Sequence, residues 1–293
     1  MLEFPLSNPC LRAKAESRGK GAAVILLHGF PDVRTSFAHQ LTALSDAGYR
    51  AIAPSLRGYE STSLDPDADY AVSTLAQDLI ALMDTQNLER VHLVGHDWGS
   101  TIAQACIATA PERFSTLTLI SVPFTPRFAK AIPRSLAQLR KSWYMFLFQL
   151  PDVPERLIQR NNGSFLRWLW QSWSPHWDIP DEVIAPVKAA FTQEGVASGA
   201  LSYYRQNFLK PSPATQALQD RLAAGIAAPT LAITGQDDGC IDARVFRDCM
   251  HDSDFNSSLS VKVLDGAGHF PHLELPEQFN QLLLNFISQS ECS

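Results

Sequence analysis

Val91-His92-Leu93-Val94-Gly95-His96-Asp97-Trp98-Gly99-Ser100 decides how this chain folds. The apolar run Val91–Val94 reads as a buried strand and passes straight into a tight turn flanked by Gly95 and Gly99, after which Thr101 to Thr109 reads as a helix. A Gly-x-nucleophile-x-Gly stretch between strand and helix is a strained elbow that lifts one side chain clear of the sheet end. Here that residue is Asp97, where an acyl-transfer enzyme carries serine. A hydroxyl that attacks a saturated carbon leaves an ether, which is hard to cleave. A carboxylate leaves an ester, which activated water can cleave. Asp97 therefore points to substitution at an sp3 carbon.

Outward from the elbow, apolar runs bounded by turn residues recur at Val24–Leu27, Ala51–Pro54, Leu117–Ile120, Thr230–Thr234 and Val261–Leu264. Helical spacing lies between them, as in Leu75, Leu79, Leu82 and Met83. Alternating strands and helices predict an α/β fold with a mostly parallel sheet flanked by helices on both faces. The rhythm breaks after Ile120. From about Pro126 to about Pro213 the chain is aromatic and helical, is punctuated by Pro133, Pro151, Pro154, Pro175, Pro180 and Pro186, and offers no convincing strand. The expectation is a core of residues 1–125 and 214–293 with an inserted all-helical cap, 126–213, over the carboxyl ends of the strands, where open α/β sheets bind ligands. No internal repeat or low-complexity tract interrupts this organisation.

The 293 residues are 45% hydrophobic and 18% charged, which suits one large domain or a core with an inserted lobe and excludes disorder. A net charge of -6, a pI of about 5.7 and scattered Lys and Arg speak against a nucleic-acid partner. Cys10, Cys106, Cys240, Cys249 and Cys292 form no Cys-x-x-Cys pair, so zinc or redox motifs are not expected, and free thiols suit a reducing compartment. The start, Met1-Leu2-Glu3-Phe4-Pro5-Leu6, does not read as a signal peptide. No apolar run approaches the roughly 20 residues of a membrane span, the longest aromatic-apolar run being Trp143 to Phe148. A soluble cytoplasmic protein with no membrane span is expected.

In a fold with this elbow, the acid and the histidine follow the nucleophile along the chain. Thr230–Thr234 ends in Gly235-Gln236-Asp237-Asp238, and either aspartate could orient a histidine. Asp238, last in the Gly-x-x-Asp loop, is favoured over Asp237. The final strand ends in Asp265-Gly266-Ala267-Gly268-His269, whose small residues leave room for the His269 ring to reach the nucleophile as general base. An aspartate in a glycine-rich turn is usually a turn former, and a lone Gly-His carries little. Their order, each directly after a strand, gives the triad its weight. The loop His28-Gly29-Phe30-Pro31-Asp32 should bring the Phe30 backbone N–H toward Asp97, with the Trp98 N–H as second oxyanion donor. His28 reads as structural, and the Phe30-Pro31 bond is a candidate for the cis isomer. His251 and His272 read as surface or packing residues. The pair His269 and His272 lacks further ligands, so neither a metal nor a cofactor is expected.

These residues resemble the soluble epoxide hydrolases, enzymes of the α/β-hydrolase fold with a helical cap, over nearly the whole chain. The His28-Gly29-Phe30-Pro31 loop, the Gly95–Gly99 elbow, the Asp238 loop and the Gly268-His269 turn are shared with the related haloalkane dehalogenases. Two cap motifs favour the former. Trp143-Tyr144-Met145-Phe146-Leu147-Phe148-Gln149-Leu150-Pro151 matches a Tyr-x-x-x-Phe-Gln-x-Pro stretch, and Ser202-Tyr203-Tyr204-Arg205-Gln206-Asn207 matches an aromatic-Tyr-Arg-x-Asn stretch. The resemblance implies that Tyr144 and Tyr204 hold and protonate the epoxide oxygen, and that the partners are a small apolar epoxide and water. Trp168, Trp170, Trp173 and Trp177 read as cap core, with one able to line an apolar pocket. Two departures stand out. Glu60 replaces the second glycine of an Arg-Gly-Tyr-Gly-x-Ser loop, which puts that loop's backbone in doubt. The short region before Val24 suggests a trimmed or absent leading strand. A haloalkane dehalogenase is the nearest rival and a non-catalytic ligand-binding protein a more distant one. The particular epoxide and a homodimer stay open.

Overall fold

The computed structural model describes residues 1–65, 67–208 and 213–291. Eight strands form one sheet: β1 Leu2–Pro5, β2 Arg12–Arg18, β3 Ala23–Leu27, β4 Arg50–Pro54, β5 Val91–His96, β6 Phe114–Ile120, β7 Thr230–Gly235 and β8 Leu259–Leu264. Their spatial order is β1-β2-β4-β3-β5-β6-β7-β8. Strands β3 to β8 are parallel, and β1 and β2 join antiparallel at one edge. The expectation of a trimmed leading strand is therefore corrected: both leading strands are present. They escaped notice because β2, Arg-Ala-Lys-Ala-Glu-Ser-Arg, buries only Ala13 and Ala15 and forms no apolar run. A half-exposed antiparallel strand needs no more than that alternation.

Fourteen helices are described. α1 (Ala38–Asp46), α2 (Val72–Thr85) and α3 (Trp98–Thr109) precede β6. Between β6 and β7 lie α4 (Thr125–Ala131), α5 (Leu136–Lys141), α6 (Trp143–Leu147), α7 (Val153–Gln159), α8 (Ser164–Trp173), α9 (Asp181–Phe191), α10 (Val196–Asn207) and α11 (Pro213–Ala223), with no strand among the described residues. α12 (Ala243–Asp248), α13 (Pro271–Glu274) and α14 (Pro276–Glu291) follow β7.

Side chains alternate across a strand, so β3 feeds two cores. Val24 and Leu26 join Phe37, Leu41, Phe279, Leu283 and Ile287, the faces of α1 and α14. Ile25 and Leu27 join Leu75, Leu79, Ile102 and Ile107 of α2 and α3, in a core that continues into Tyr144, Phe148, Trp170 and Leu201. Phe279, Leu283 and Ile287 stand four residues apart on α14 and are fully buried, worth roughly 1.5–3 kcal/mol each.

Polar ties fix the loops that reach the site. After β4, Arg57 grips Asp78 of α2 through two bonds, Nε–Oδ2 at 2.7 Å and Nη2–Oδ1 at 2.6 Å, both side chains nearly excluded from water. The Arg57 carbonyl accepts the Tyr203 hydroxyl at 2.7 Å, joining α10 to the core. Glu60 is extended, with φ -140°, a conformation any residue adopts, so glycine is not required there. Its carboxylate accepts from Arg34, from Ser55 Oγ at 2.9 Å and from the Lys14 N–H at 3.1 Å. The Trp170 indole donates to the Pro31 carbonyl at 2.8 Å, fastening α8 to the loop after β3.

Candidate active site

Asp97 sits between β5 and α3 with φ 52° and ψ -117°, a backbone state that costs of order 1–3 kcal/mol for a residue with a side chain. The two flanking glycines make the bend possible by close approach. A Cβ on Gly95 would lie 2.2 Å from the Gly99 carbonyl oxygen, and one on Gly99 would lie 2.1 Å from that of Leu27. Ser100 braces the bend, its Oγ donating to the Gly95 carbonyl at 2.5 Å and accepting the Ile120 N–H at 3.0 Å.

The carboxylate of Asp97 meets partners on both sides. Oδ1 accepts the Phe30 N–H at 2.7 Å, and Oδ2 lies 3.7 Å from His269 Nε2. On the far side of the ring, His269 Nδ1 stands 3.0 Å from Asp238 Oδ2, while Asp238 Oδ1 accepts the Cys240 and Ile241 N–H groups at 2.7 and 2.9 Å. Asp238 is therefore the aspartate that meets the histidine. Asp237 is half-buried, and its own N–H bonds to the Ala267 carbonyl. The backbone of His269 is fixed as well: its N–H reaches Ser174 Oγ at 3.0 Å, and its carbonyl accepts from Ser121 Oγ at 2.8 Å and His96 Nε2 at 2.9 Å. Burial alone would lower the imidazole, but the carboxylates of Asp238 and Asp97 outweigh it and hold its pKa up to about 10.

Tyr144 and Tyr204 face this group from α6 and α10, their rings 5.9 Å apart and both buried. The Tyr144 hydroxyl is 3.2 Å from Cys240 Sγ. That of Tyr204 makes no hydrogen bond of good geometry, although the Trp98 side chain stands close enough to favour its ionised form slightly. Burial, then nearby thiol and carboxylate groups, pushes both phenols well above their ordinary value, so both stay protonated donors. Together with Asp97 and Trp98 they line a cavity of about 360 Å³ whose other walls include Phe128, Leu139, Phe146 and Ile241. Asp97 is the one charged residue among its described lining residues. Trp98 opens α3 and packs edge-on against Tyr204, ring centroids 5.1 Å apart.

The remaining sequence candidates fall as follows. His28 is structural: Nδ1 donates to the Gly29 carbonyl, Nε2 accepts the Leu56 N–H at 3.1 Å, and burial lowers it to about 4. The Phe30-Pro31 bond is cis. His251 is exposed and His272 is buried, stacked on Phe37. His269 and His272 do not converge on one point. His269 groups with Asp238 and Cys240, whereas His272 groups with Asp32 and His96, so each histidine of the pair has ligand-type neighbours of its own, in two separate groups. Among the tryptophans, Trp170 and Trp173 lie at the junction with the core, stacked on Phe270 and edge-on to His269. Trp168 is 52% exposed and is not cap core. Cys292 lies outside the described residues.

Sequence reasoning passed over Asp32, His96, Ser100 and Cys240. Asp32 is fully buried, its carboxyl raised to about 7 by burial, with Oδ2 3.8 Å from His96 Nδ1. The available signal was position: Asp32, His96 and Ser100 stand inside the quoted stretches and are polar where the setting is apolar.

Comparisons agree with this fold. A family described as alpha/beta hydrolase fold matches residues 22–276. Epoxide hydrolase 1 of Siraitia grosvenorii is 32% identical over 301 residues, 93% of this chain and 94% of that one. AB hydrolase superfamily protein YfhM of Bacillus subtilis is 29% identical over 282 residues, 94% of each. Among solved structures, an epoxide hydrolase of Vigna radiata superposes with a TM-score of 0.79 at 27% identity, covering 98% of this chain and 97% of that one. The fold and elbow define a hydrolase of the α/β class. Within it, the chain belongs to the epoxide hydrolase family.

Proposed function

We propose that this enzyme opens a neutral, apolar epoxide to a vicinal diol through a covalent ester on Asp97, with residues 126–213 as the cap and residues 1–125 and 214–293 as the core. One observation carries the reading: two protonated phenols and a carboxylate face the same otherwise uncharged cavity. A carboxylate oxygen of Asp97 attacks an oxirane carbon, and the C–O bond breaks with its electron pair on oxygen. Tyr144 and Tyr204 receive that alkoxide by hydrogen bonding and proton donation. Tyrosine suits this task because an alkoxide is a far stronger base than a phenolate.

Esterification then prepares the second step. Asp97 loses its negative charge, so one of the two carboxylates that hold the His269 pKa up to about 10 is gone and the imidazole becomes available as a base. His269, oriented by Asp238, takes a proton from water, and the resulting hydroxide adds to the ester carbonyl. The Phe30 N–H, already 2.7 Å from Oδ1, supports the developing oxyanion with the Trp98 N–H as its partner. Each donor is worth about 3 kcal/mol. Collapse releases the diol and restores Asp97.

The haloalkane dehalogenase alternative uses the same ester but needs donors aimed at halide. Phe30 offers no side-chain donor, and phenols placed for an alkoxide have no role there. The decisive experiment is one turnover of styrene oxide in heavy-oxygen water, followed by mass spectrometry of the peptide holding Asp97. Label in the Asp97 carboxylate supports the ester route, whereas label confined to the diol excludes it. Halide release from bromoalkanes without diol formation favours the dehalogenase.

A further inference from the structure

The exposed apolar side chains of this protein are not scattered. Apart from Met1, every large one among the described residues lies between positions 136 and 168: Leu136, Leu139, Trp143, Phe146, Leu150, Val153 and Trp168. Leu136 is 81% exposed, Trp168 52% and Phe146 49%. Two pairs among them come together: Trp143 meets Trp168 with ring centroids 5.8 Å apart, and Leu139 and Phe146 both line the cavity that holds Asp97. A contiguous exposed apolar patch on a protein marks a surface that meets something.

Charge says what it meets. Residues 126–173 carry eight Lys and Arg against two Asp and Glu, in a chain whose net charge is -6. Three of the eight are occupied within the protein: Arg127 by Asp254, Lys141 by Asp242 and Arg167 by Asp181. Lys130, Arg134, Arg140, Arg156 and Arg160 are exposed and form no ion pair among the described residues. Exposed tryptophan and other aromatic side chains in the same segment as unpaired cations suit the boundary between headgroups and acyl chains, where rings enter the boundary and cations meet anionic lipid. A second copy of the chain fits poorly, because two such faces would set the same five cations against each other.

We propose that the face formed by α4 to α8 docks on anionic lipid bilayers, with the mouth of the active-site cavity turned toward the membrane. Among the described residues, no helix is long and apolar enough to cross a membrane. The contact is therefore interfacial and reversible, and it does not depend on which reaction Asp97 performs.

The test is co-sedimentation of the full chain with vesicles of phosphatidylcholine alone and with one-third phosphatidylglycerol. Binding should require phosphatidylglycerol and weaken with salt. The pair R134E/R140E should lower the partition coefficient at least about tenfold, and L136S/W168S should lower it independently. Neither pair lines the cavity, so turnover of a water-soluble epoxide should be unchanged in both. The proposal is overturned if vesicles of both compositions leave the protein in the supernatant, or if neither pair of substitutions alters binding. It is also overturned if analytical ultracentrifugation finds a dimer that L136S/W168S dissociates, which would assign the face to a second copy.

Discussion

Replacing Tyr204 by Phe should destroy activity while leaving the fold as stable as before or more so. The Tyr204 ring is 2% exposed, and its hydroxyl makes no hydrogen bond of good geometry, the Trp98 side chain being only a weak neighbour. An unsatisfied buried polar group costs about 1–3 kcal/mol, so removing this one relieves a penalty present in the resting enzyme. During epoxide opening the same hydroxyl faces a developing alkoxide. Loss of one such donor costs about 2.7–4 kcal/mol, or a hundredfold to a thousandfold in rate. Tyr144→Phe is the internal comparison. It removes a similar donor, but the Tyr144 hydroxyl already pairs with Cys240 Sγ at 3.2 Å, so its loss brings no gain in stability. Stopped-flow tryptophan fluorescence during alkylation by styrene oxide gives the rate, and urea unfolding gives the stability. A Tyr204→Phe enzyme that alkylates at the parent rate, or that is destabilised by more than about 1 kcal/mol, would refute the reasoning.

Other outcomes follow from the same geometry. His269→Gln should stop turnover at the ester, so intact-protein mass spectrometry should find the enzyme heavier by one substrate. Unmodified protein with full turnover removes His269 from its role. Ester decay in single-turnover experiments should need neutral His269, so it rises with pH and levels off with an apparent pKa below the value of about 10 held in the resting enzyme, because the ester no longer carries the Asp97 charge. A midpoint at or above that value contradicts the sequence of charges proposed. Asp78→Asn leaves Arg57 buried with its charge uncompensated, at about 3–5 kcal/mol in urea unfolding. A loss below about 1 kcal/mol means the pair is better solvated than its burial implies.

The parallel strands and the elbow were legible because both leave strong local marks: continuous apolar runs, and glycines that nothing larger can replace. Asp97, Asp238 and His269 were legible for the same reason, each following such a run. Tyr144 and Tyr204 came from matching motifs, since periodicity does not distinguish a packing tyrosine from one that faces a cavity. β2 was illegible because it buries only alanines, a weak mark against alternating charges, and β1 because four residues with one buried side chain, Phe4, make no run. Asp32 and His96 stayed hidden for a different reason. What distinguishes them is that 64 positions of chain fold back to place one against the other, and spacing along the sequence carries no trace of that approach. Trp170 and Trp173 read as the interior of an inserted lobe but belong to its seam with the sheet domain, a distinction made by tertiary packing alone.

Phe30 takes part in two structures at once. Its amide grips the Asp97 carboxylate, while its ring is clasped edge-on by Phe148, Phe191 and Tyr204, and the next residue is tethered to α8 by the Trp170 indole. A roof fastened at that point cannot hinge upward to admit a molecule without disturbing the very carboxylate the molecule has come to meet. A substrate is then expected to enter without the roof lifting, along a cavity that α4, α5 and α6 help to wall, and the roof serves as a fixed wall that sets which shapes fit.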